Sequence, residues 1–439
     1  MDSGAPSSSK SLPIKGLRVL IDGAYRQEAQ GTGISAYSRT LGTGLEKLGA
    51  DVRWLSGVEA SKKPEILADE IALADPPAPA SGARRYAQTA LRMGQGVVTP
   101  RVTARKLAGS GAVISDPAAP GADNTYLAPN LFVTAHYRHM LLREFAEVRV
   151  PDKVDVLHLS APMPVKMKGV RTVTTIHDLV PIRLPRTTPD NKSEFIHRVR
   201  TNAKLSDLIV TVSEASKRDI VDILQVDPAR VAVTWQPTDL APLSSQERDS
   251  IPRALGKYGL APLGYALFVG ALEPKKNIRR MIEAFLETDT DMPLVIVGRR
   301  AWLWEADLAW VGTLGDKSRA RLRFLGYVGR EDLRRLYAGA QMFLFPSLYE
   351  GFGLPALEAM TAGCPVITSN IASLPEVCGD GALYVEPLER DDIRAKIERL
   401  LHDPSLRAAL GEAGKAQAKR FSFEAYVARL GEAYTRLLG

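Results

Sequence analysis

Two glutamates on either side of a glycine-containing turn carry the strongest chemical signal in the sequence. Within residues 343–360, Glu350 precedes a predicted helix and Glu358 stands about one turn inside it. Gly351 and Gly353 allow the backbone to approach a ligand closely, and free amides at a helix start bind phosphate. Because carboxylates repel phosphates, we expect these glutamates to bind hydroxyl groups, one on a sugar and one on a ribose. The alternative is an acidic cap on an ordinary helix.

Two other patterns place a histidine or a pair of cations directly after a predicted strand. His177 and Asp178 stand at the carboxyl end of such a strand, where the ligand loops of parallel sheets lie. A lone histidine is more often structural. If His177 is functional, Asp178 would orient its ring. Lys275 and Lys276 follow a strand further along the chain. The alternative for them is two solvated lysines, which the helix dipole disfavours at a helix start.

A short glycine-rich turn follows the first predicted strand. Gly31, Thr32 and Gly33 lie between a strand at 16–22 and a helix at 34–48. A plain turn is the alternative, because a Gly-x-Gly pattern alone is weak.

The predicted elements form two series in which short β-branched strands alternate with amphipathic helices. This order predicts parallel sheets with helices on both faces, and at 439 residues the chain exceeds one compact core. The predicted fold is α/β, with two doubly wound Rossmann-like domains that face a cleft. The predicted divisions are a disordered tail at 1–15, an N-terminal domain at 16–240, a linker at 241–262, a C-terminal domain at 263–420 and a final helix at 421–439.

A basic excursion with mobile ends is predicted at 61–124, where the alternation breaks. Its middle carries six cations among Leu, Met and Val residues, namely Arg84, Arg85, Arg92, Arg101, Arg105 and Lys106. One interpretation is an interfacial segment that meets anionic lipid or an acceptor. The other is a solvated loop or helix. Nucleic-acid binding ranks last, because Tyr86 is nearly the only aromatic residue among these cations.

The composition argues against several classes of protein. The net charge of +7 permits an anionic partner, and the two cysteines, Cys364 and Cys378, argue against a disulfide framework. No run reaches the ~18 apolar residues of a membrane span, and residues 1–12 lack the apolar stretch of a secretory signal. We therefore expect a cytoplasmic protein, with association at the inner face of the membrane left open. No metal-ligand cluster is apparent in the sequence, so neither a metal nor a cofactor is expected.

Several motifs together match one family. They are the Glu-x7-Glu segment at 350–358, the stretches 268–277, 324–328, 336–347 and 363–380, and the His-Asp-Leu-Val-Pro motif at 177–181. With them the chain resembles the family 4 retaining glycosyltransferases with the GT-B fold, densely from about 263 to 387 and more thinly in the N-terminal half. The subgroup it resembles is that of bacterial polysaccharide mannosyltransferases.

The resemblance implies a role for each motif residue. His177, Glu350 and Lys276 would be catalytic, with Glu350 on the donor sugar and His177 beside it. Glu358 would hold the ribose, and the lysines would stabilise the departing diphosphate. The residues implied in donor binding are Gly31, Thr32, Gly33, Asp178, Lys275, Arg299, Tyr327, Val328, Gly351, Phe352, Gly353, Leu354 and Glu358.

One position departs from the family pattern. Many members carry arginine directly after the glycine that matches Gly270, whereas this sequence has Ala271. Either Lys275 or Arg299 would then supply the missing phosphate contact.

The resemblance implies a hexosyltransferase of surface polysaccharide or lipopolysaccharide synthesis. The favoured reaction moves mannose from GDP-mannose to a hydroxyl of a glycan or lipid-linked saccharide, without a metal. The alternatives are a UDP-hexose or dTDP-rhamnose donor, or a protein that binds sugar nucleotides without catalysis. The N-terminal domain would face the acceptor, the C-terminal domain would bind the nucleotide sugar, and the final helix would cross back onto the N-terminal domain. No nucleic-acid partner is expected.

Overall fold

The computed structural model describes residues 14–24, 33–58, 65–75, 81–113 and 122–439. The strands of the N-terminal half are β1 (Arg18–Asp22), β2 (Asp51–Ser56), β3 (Arg101–Thr103), β4 (Arg105–Lys106), β5 (Thr125–Leu127), β6 (Ala146–Arg149), β7 (Val156–Leu159), β8 (Val165–Lys166), β9 (Arg171–Thr175), β10 (Leu208–Thr211) and β11 (Val231–Val233). Those of the C-terminal half are β12 (Ala266–Val269), β13 (Leu294–Val297), β14 (Leu322–Phe324), β15 (Met342–Phe345), β16 (Val366–Ser369) and β17 (Ala382–Val385).

Helices separate most of these strands. In chain order they are α1 (Gly33–Lys47), α2 (Ile66–Ala74), α3 (Gly82–Val98), α4 (Leu131–Leu142), α5 (Val180–Arg183), α6 (Lys192–Leu205), α7 (Glu214–Leu224), α8 (Ser245–Asp249), α9 (Ile251–Gly256), α10 (Ile278–Leu286), α11 (Trp304–Leu308), α12 (Asp316–Ala320), α13 (Arg330–Gly339), α14 (Leu354–Ala362), α15 (Leu374–Cys378), α16 (Arg390–His402), α17 (Pro404–Ala418) and α18 (Phe423–Leu438). None of the helices within the described ranges is long and apolar enough to cross a membrane.

The N-terminal sheet has eight strands in the order β11-β10-β9-β7-β1-β2-β5-β4. All neighbours are parallel except β4 and β5, which run antiparallel. The central strands β1, β7, β9 and β10 are buried along nearly their whole length, as is typical of parallel strands covered by helices on both faces. The order reverses between β1 and β7, so the carboxyl ends of these strands border a crevice in which a ligand can lie.

The C-terminal sheet has six parallel strands in the order β14-β13-β12-β15-β16-β17. Its order reverses between β12 and β15, which are hydrogen-bonded neighbours. The loops after these two strands therefore meet at one crevice, and they carry the predicted lysines and Glu350. The predicted α/β fold with two doubly wound domains is confirmed.

The last helix packs on the N-terminal domain, as the resemblance implies. A side chain at Gly44 of α1 would lie 3.0 Å from the Tyr426 ring and 3.2 Å from Leu430, so α1 and α18 are in close contact. The Tyr434 hydroxyl is also 2.7 Å from Nδ1 of His158, inside the N-terminal sheet.

The segment predicted as a linker contains two short helices, α8 and α9. Arg335 of α13 donates to the Ser250 hydroxyl at 2.9 Å, and Arg334 pairs with Glu247 at 3.0 Å. These contacts attach the segment to the C-terminal domain.

Much of the basic excursion is regular structure. Helix α3 packs on α4 so closely that a Cβ at Gly96 would lie 2.6 Å from the Thr134 carbonyl oxygen. Arg138 donates to the Gly96 and Val97 carbonyls at 3.1 and 3.0 Å, which satisfies the end of α3. Strands β3 and β4 then join the excursion to neighbouring sheets.

Candidate functional site

Glu350 lies at the centre of a buried ion-pair cluster at the crevice of the C-terminal sheet. Its side chain follows β15, and Lys276 reaches it from the loop after β12. The Lys276 ammonium is 2.5 Å from one carboxylate oxygen, and the Lys275 ammonium is 3.8 Å from the other. Lys276 also lies 4.9 Å from the ring centre of Phe345. The structure therefore brings Glu350 and both predicted lysines into direct contact.

The lysines keep Glu350 ionised. Burial alone would raise the pKa of this carboxyl, but Lys276 and Lys275 outweigh burial and hold the pKa below its usual value. Burial opposes the charge on Lys275, yet Glu350, Asp178 and Glu273 raise its pKa above the ordinary lysine value. Burial, with the neighbouring Lys275, lowers the pKa of Lys276. The cluster thus places two lysines beside two carboxyl groups, those of Glu350 and Glu273.

The loop that carries Glu350 is fixed by hydrogen bonds to its main chain. The Ser373 hydroxyl lies 2.9 Å from the Glu350 carbonyl oxygen and 2.7 Å from that of Phe352. Gly353 has a φ of +109°, which a residue with a side chain rarely adopts. Helix α14 begins at the next residue, Leu354, so its free amides face the crevice end of the loop. The predicted helix start is confirmed.

Gly351 makes a contact that the sequence did not reveal. A Cβ at this position would lie 2.9 Å from Asp178 Oδ2 and 3.0 Å from the His177 carbonyl oxygen. The Gly351 carbonyl accepts hydrogen bonds from Ser213 Oγ at 2.7 Å and Ser216 Oγ at 3.1 Å. The space beside this glycine is therefore filled by the N-terminal domain, and the absent side chain allows the two domains to touch.

Other polar contacts cross the cleft near this point. The Glu376 carboxylate accepts from the Glu214 and Ala215 amides, at 2.8 and 3.2 Å, in the first turn of α7. The Trp302 indole donates to the Thr187 carbonyl at 2.8 Å. The domains are thus joined across the cleft by hydrogen bonds.

Glu358 has a partner that the sequence analysis missed. The Tyr337 hydroxyl on α13 donates to its carboxylate at 2.8 Å. Burial raises the pKa of Glu358 to about 7, although this hydrogen bond acts in the opposite direction. The sequence shows a tyrosine, Tyr337, in the helix before β15. Whether its side chain reaches Glu358 depends on how α13 and α14 pack, which the sequence does not show.

The unusual pKa of Glu358 gives stability a predictable pH dependence. The folded protein keeps the proton from the ordinary pKa of 4.5 up to about 7, whereas the unfolded chain releases it. The free energy of unfolding therefore falls as pH rises through this window. Glu358→Gln should remove this fall. The free energy of unfolding of the variant minus that of the wild type should therefore be about 1–2 kcal/mol larger at pH 8 than at pH 4.5. Urea unfolding of the wild type and the variant at both pH values measures this difference. The same difference between the two proteins at pH 4.5 and pH 8 would contradict the prediction.

His177 sits opposite the cluster, at the end of β9. Its Nε2 is 2.9 Å from the Ser160 carbonyl oxygen, and the Tyr37 ring meets it edge-on with centroids 4.6 Å apart. Burial lowers the pKa of its imidazole below the ordinary value. The ring nitrogens of His177 are hydrogen-bonded to Ser160 and Gln236, whereas Asp178 Oδ1 accepts from the Val180 amide at 3.0 Å. The prediction that Asp178 orients His177 is therefore wrong, and the Ser160 carbonyl has that position.

The remaining predicted residues are distributed more widely. Arg299 and Tyr327 are exposed, Tyr327 to 78%, whereas Val328 and Phe352 are buried. Gly33 is exposed at the first position of α1, while Gly31 and Thr32 lie outside the described residues. No group of three or more potential metal ligands occurs within the described ranges.

Two family models and one set of relatives match this chain. The model "Glycosyltransferase Family 4" matches residues 31–241, and "Glycosyl transferases group 1" matches residues 260–417. O-antigen chain mannosyltransferase B of Escherichia coli is 39% identical over 259 residues, covering 58% of this chain and 67% of that protein. The chain belongs to the family 4 glycosyltransferases.

Other relatives share part of this glycosyltransferase. The serotype-specific mannosyltransferase WbdA of Escherichia coli is 32% identical over 61% of this chain, which spans only 34% of WbdA. Sucrose-phosphate synthase of Thermosynechococcus elongatus has the same fold, with a TM-score of 0.65 at 16% identity over 96% of this chain and 99% of that one. WaaG, a glycosyltransferase of lipopolysaccharide biosynthesis, gives a TM-score of 0.59 at 16% identity over 94% and 98%. The predicted GT-B fold and glycosyltransferase class are confirmed.

We propose that Lys275, rather than Arg299, supplies the phosphate contact of the arginine that is missing at Ala271. Its ammonium belongs to the buried cluster, whereas the Arg299 side chain is exposed. Lys275→Ala should therefore weaken nucleoside diphosphate binding by about ten-fold, because one charge-assisted contact is lost. Arg299→Ala is the matched control and should leave the affinity nearly unchanged. Calorimetric titration measures both, and the reverse order of effects would assign the phosphate contact to Arg299.

Proposed function

We propose that this glycosyltransferase moves mannose from GDP-mannose to a hydroxyl of a glycan or lipid-linked saccharide, with retention of configuration. The observation that carries the proposal is the buried cluster of Glu350 with Lys275 and Lys276, opposite His177. Its carboxylate suits sugar hydroxyls and its two ammonium groups suit a diphosphate. The mannosyl donor is favoured by the O-antigen mannosyltransferases among the relatives.

The charges of the cluster must be redistributed when a donor binds. Lys275 and Lys276 now face Glu350, and a diphosphate would compete with this carboxylate for both ammonium groups. As the bond from the sugar C1 to the diphosphate oxygen breaks, negative charge gathers on that oxygen, where a lysine stabilises it. The acceptor oxygen bonds to C1 on the same face, and its proton passes to the departing phosphate. These residues can perform the charge stabilisation without a metal ion.

The nucleoside is proposed to bind beside α14. Glu358 lies on α14, beyond the loop that carries Glu350, and its carboxylate would accept hydrogen bonds from the ribose hydroxyls. The amides at the start of α14, between these two glutamates, would hold the diphosphate. This arrangement assigns hydroxyl groups to the carboxylates and phosphate to the backbone.

A thermal-shift series with GDP, UDP and dTDP tests the choice of nucleotide. Ligand binding to the folded state raises the melting temperature, so GDP should give the largest shift. A larger shift with UDP or dTDP would reject GDP-mannose as the donor. Release of GDP from GDP-mannose in the presence of a membrane glycan extract then separates an enzyme from a non-catalytic binding protein. Glu358→Gln is the matched control, because it should lose the shift while keeping the fold.

We also propose that helix α3 places the enzyme at the cytoplasmic, inner face of a membrane. Residues 81–113 contain six basic residues and no acidic one. Tyr86, Leu91 and Val98 are 80%, 62% and 76% exposed on the same helix as the exposed Arg84 and Arg85. Apolar side chains beside cations are typical of surfaces that bind anionic lipid.

Vesicle sedimentation tests this surface. Binding to vesicles with phosphatidylglycerol should exceed binding to neutral phosphatidylcholine vesicles, and Arg84→Glu with Arg85→Glu should reduce it at least ten-fold. The matched control replaces two exposed lysines of the C-terminal domain, Lys317→Glu with Lys419→Glu. An equal loss in both double variants would show only a general effect of net charge and would reject a role for α3.

A further inference from the structure

Three neighbouring strands of the N-terminal sheet end in a buried polar network that the proposed reaction does not yet use. Asp22 closes β1, Ser160 follows β7, and His177 follows β9. Asp22 and Ser160 have no exposed surface. One Asp22 carboxylate oxygen accepts from the Ser160 amide, and the other accepts from the Ser160 hydroxyl at 3.1 Å. A carboxylate therefore holds both polar hydrogens of Ser160.

The Ser160 carbonyl determines the protonation of His177. Its oxygen lies 2.9 Å from Nε2, and because a carbonyl can only accept, Nε2 must carry the hydrogen. Nδ1 then presents a lone pair, and the Gln236 amide nitrogen is 3.5 Å from it. The edge of Tyr37 keeps the ring in this orientation. The neutral imidazole thus keeps an acceptor at Nδ1, with the Gln236 amide at the limit of hydrogen-bond distance.

We propose that Asp22 is a positioning residue, which acts through Ser160 to set the tautomer and the place of His177. The proposal rests on the function proposed above, and it adds that His177 accepts a hydrogen bond from a hydroxyl of the donor sugar. Asp22 touches neither the substrate nor His177. Its effect passes through one residue, because holding the amide and hydroxyl of Ser160 fixes its Cα and the position from which its carbonyl reaches His177.

The network favours a carboxylate at position 22. Ser160 presents two donors, and a carboxylate offers each of them an accepting oxygen. In Asp22→Asn the NH2 faces one of these groups, where it either opposes the main-chain amide hydrogen or forces the hydroxyl to rotate and accept. We expect the Ser160 main chain to turn and its carbonyl to leave His177. The opposite tautomer of His177 then becomes populated.

Asp22→Asn and Ser160→Ala test this positioning role, because they disrupt the hydrogen bonds between Asp22 and Ser160 to different extents. Asp22→Asn should lower kcat by about ten- to a hundred-fold, and Ser160→Ala, which keeps the amide donor, by less than ten-fold. Affinity for GDP should change less than two-fold in both, because Asp22 lies in the N-terminal domain. Nitrogen-15 NMR of the histidine rings should show the resonances of His177 moving toward the Nδ1-protonated form in the same order.

A matched control lies at the other end of the same strands. Asp155 precedes β7 and holds the Arg18 amide and guanidinium, at 3.0 and 2.9 Å, far from His177. Asp155→Asn should lower stability while leaving kcat and the His177 tautomer unchanged. A fall in kcat of Asp22→Asn with the wild-type tautomer would overturn the proposal, as would an unchanged kcat. The NMR measurement needs no substrate, so failure of the proposed donor would appear separately, in the thermal-shift series.

Discussion

Glu350→Gln should lower kcat/KM by about 10²–10³-fold, because a buried carboxylate that binds the reacting sugar is replaced by a neutral amide. The loss should appear mainly in kcat. Nucleoside diphosphate affinity should rise at the same time, since Lys275 and Lys276 no longer face a competing carboxylate. Initial rates with the nucleotide sugar that stabilises the wild type, together with calorimetric titration of its nucleotide, measure both effects.

Stability provides a second measure of the same change. Removing the Glu350 charge leaves Lys276 buried beside a neutral side chain, while Lys275 keeps Glu273. The free energy of unfolding should fall by about 3 kcal/mol. Glu273→Gln is the matched control, because it removes another buried carboxylate, 3.5 Å from Lys275, without altering the loop after β15. Its activity should fall by less than ten-fold. Weaker diphosphate binding in Glu350→Gln would contradict the competition between carboxylate and phosphate.

Lys276→Met should lower kcat/KM by about 10³-fold, since it removes the cation nearest to Glu350 and to the proposed leaving group. Methionine keeps most of the length and the contact with the Phe345 ring, so the loss reports charge rather than volume. Glu350 would remain buried beside Lys275 alone, and its pKa would rise. Residual activity should therefore increase with pH across the range in which Glu350 ionises.

The control for this experiment is Lys275→Met, whose ammonium lies farther from the carboxylate, at 3.8 Å against 2.5 Å. Its loss should be several-fold smaller, with a weaker dependence on pH. A thermal shift with the nucleotide shows whether the site still binds its ligand. Retention of more than about a tenth of wild-type activity in Lys276→Met would exclude leaving-group stabilisation by this residue.

The sequence predicted most of what depends on local pattern. Strands β13 and β15 are short apolar runs between helices, a pattern that indicates buried parallel strands. Strand β14 is harder to recognise from sequence, because Arg323 gives this edge strand a mixed polarity. The meeting of Lys276 with Glu350 also follows from chain order, once β12 and β15 are neighbours.

Contacts that depend on how elements pack could not be predicted in this way. The hydrogen bond from Tyr337 to Glu358 needs the relative rotation of α13 and α14. The contact of Gly351 with Asp178 needs the relative position of the two domains. The histidine motif likewise suggested that Asp178 orients His177, whereas the main chain of Ser160 does so. Side-chain adjacency in sequence is a poor guide where a backbone carbonyl from another strand is available.

The polar character of the contacts across the cleft has a consequence for the motion of the domains. Ser213 and Ser216 on the Gly351 carbonyl, and Glu376 on the first turn of α7, are all groups that water can hydrate equally well. Separating the domains exposes little apolar surface at these points, so the heat capacity should change little. Opening and closing should then remain in near balance on cooling, and product release should persist at temperatures where the bond-breaking step has become slow.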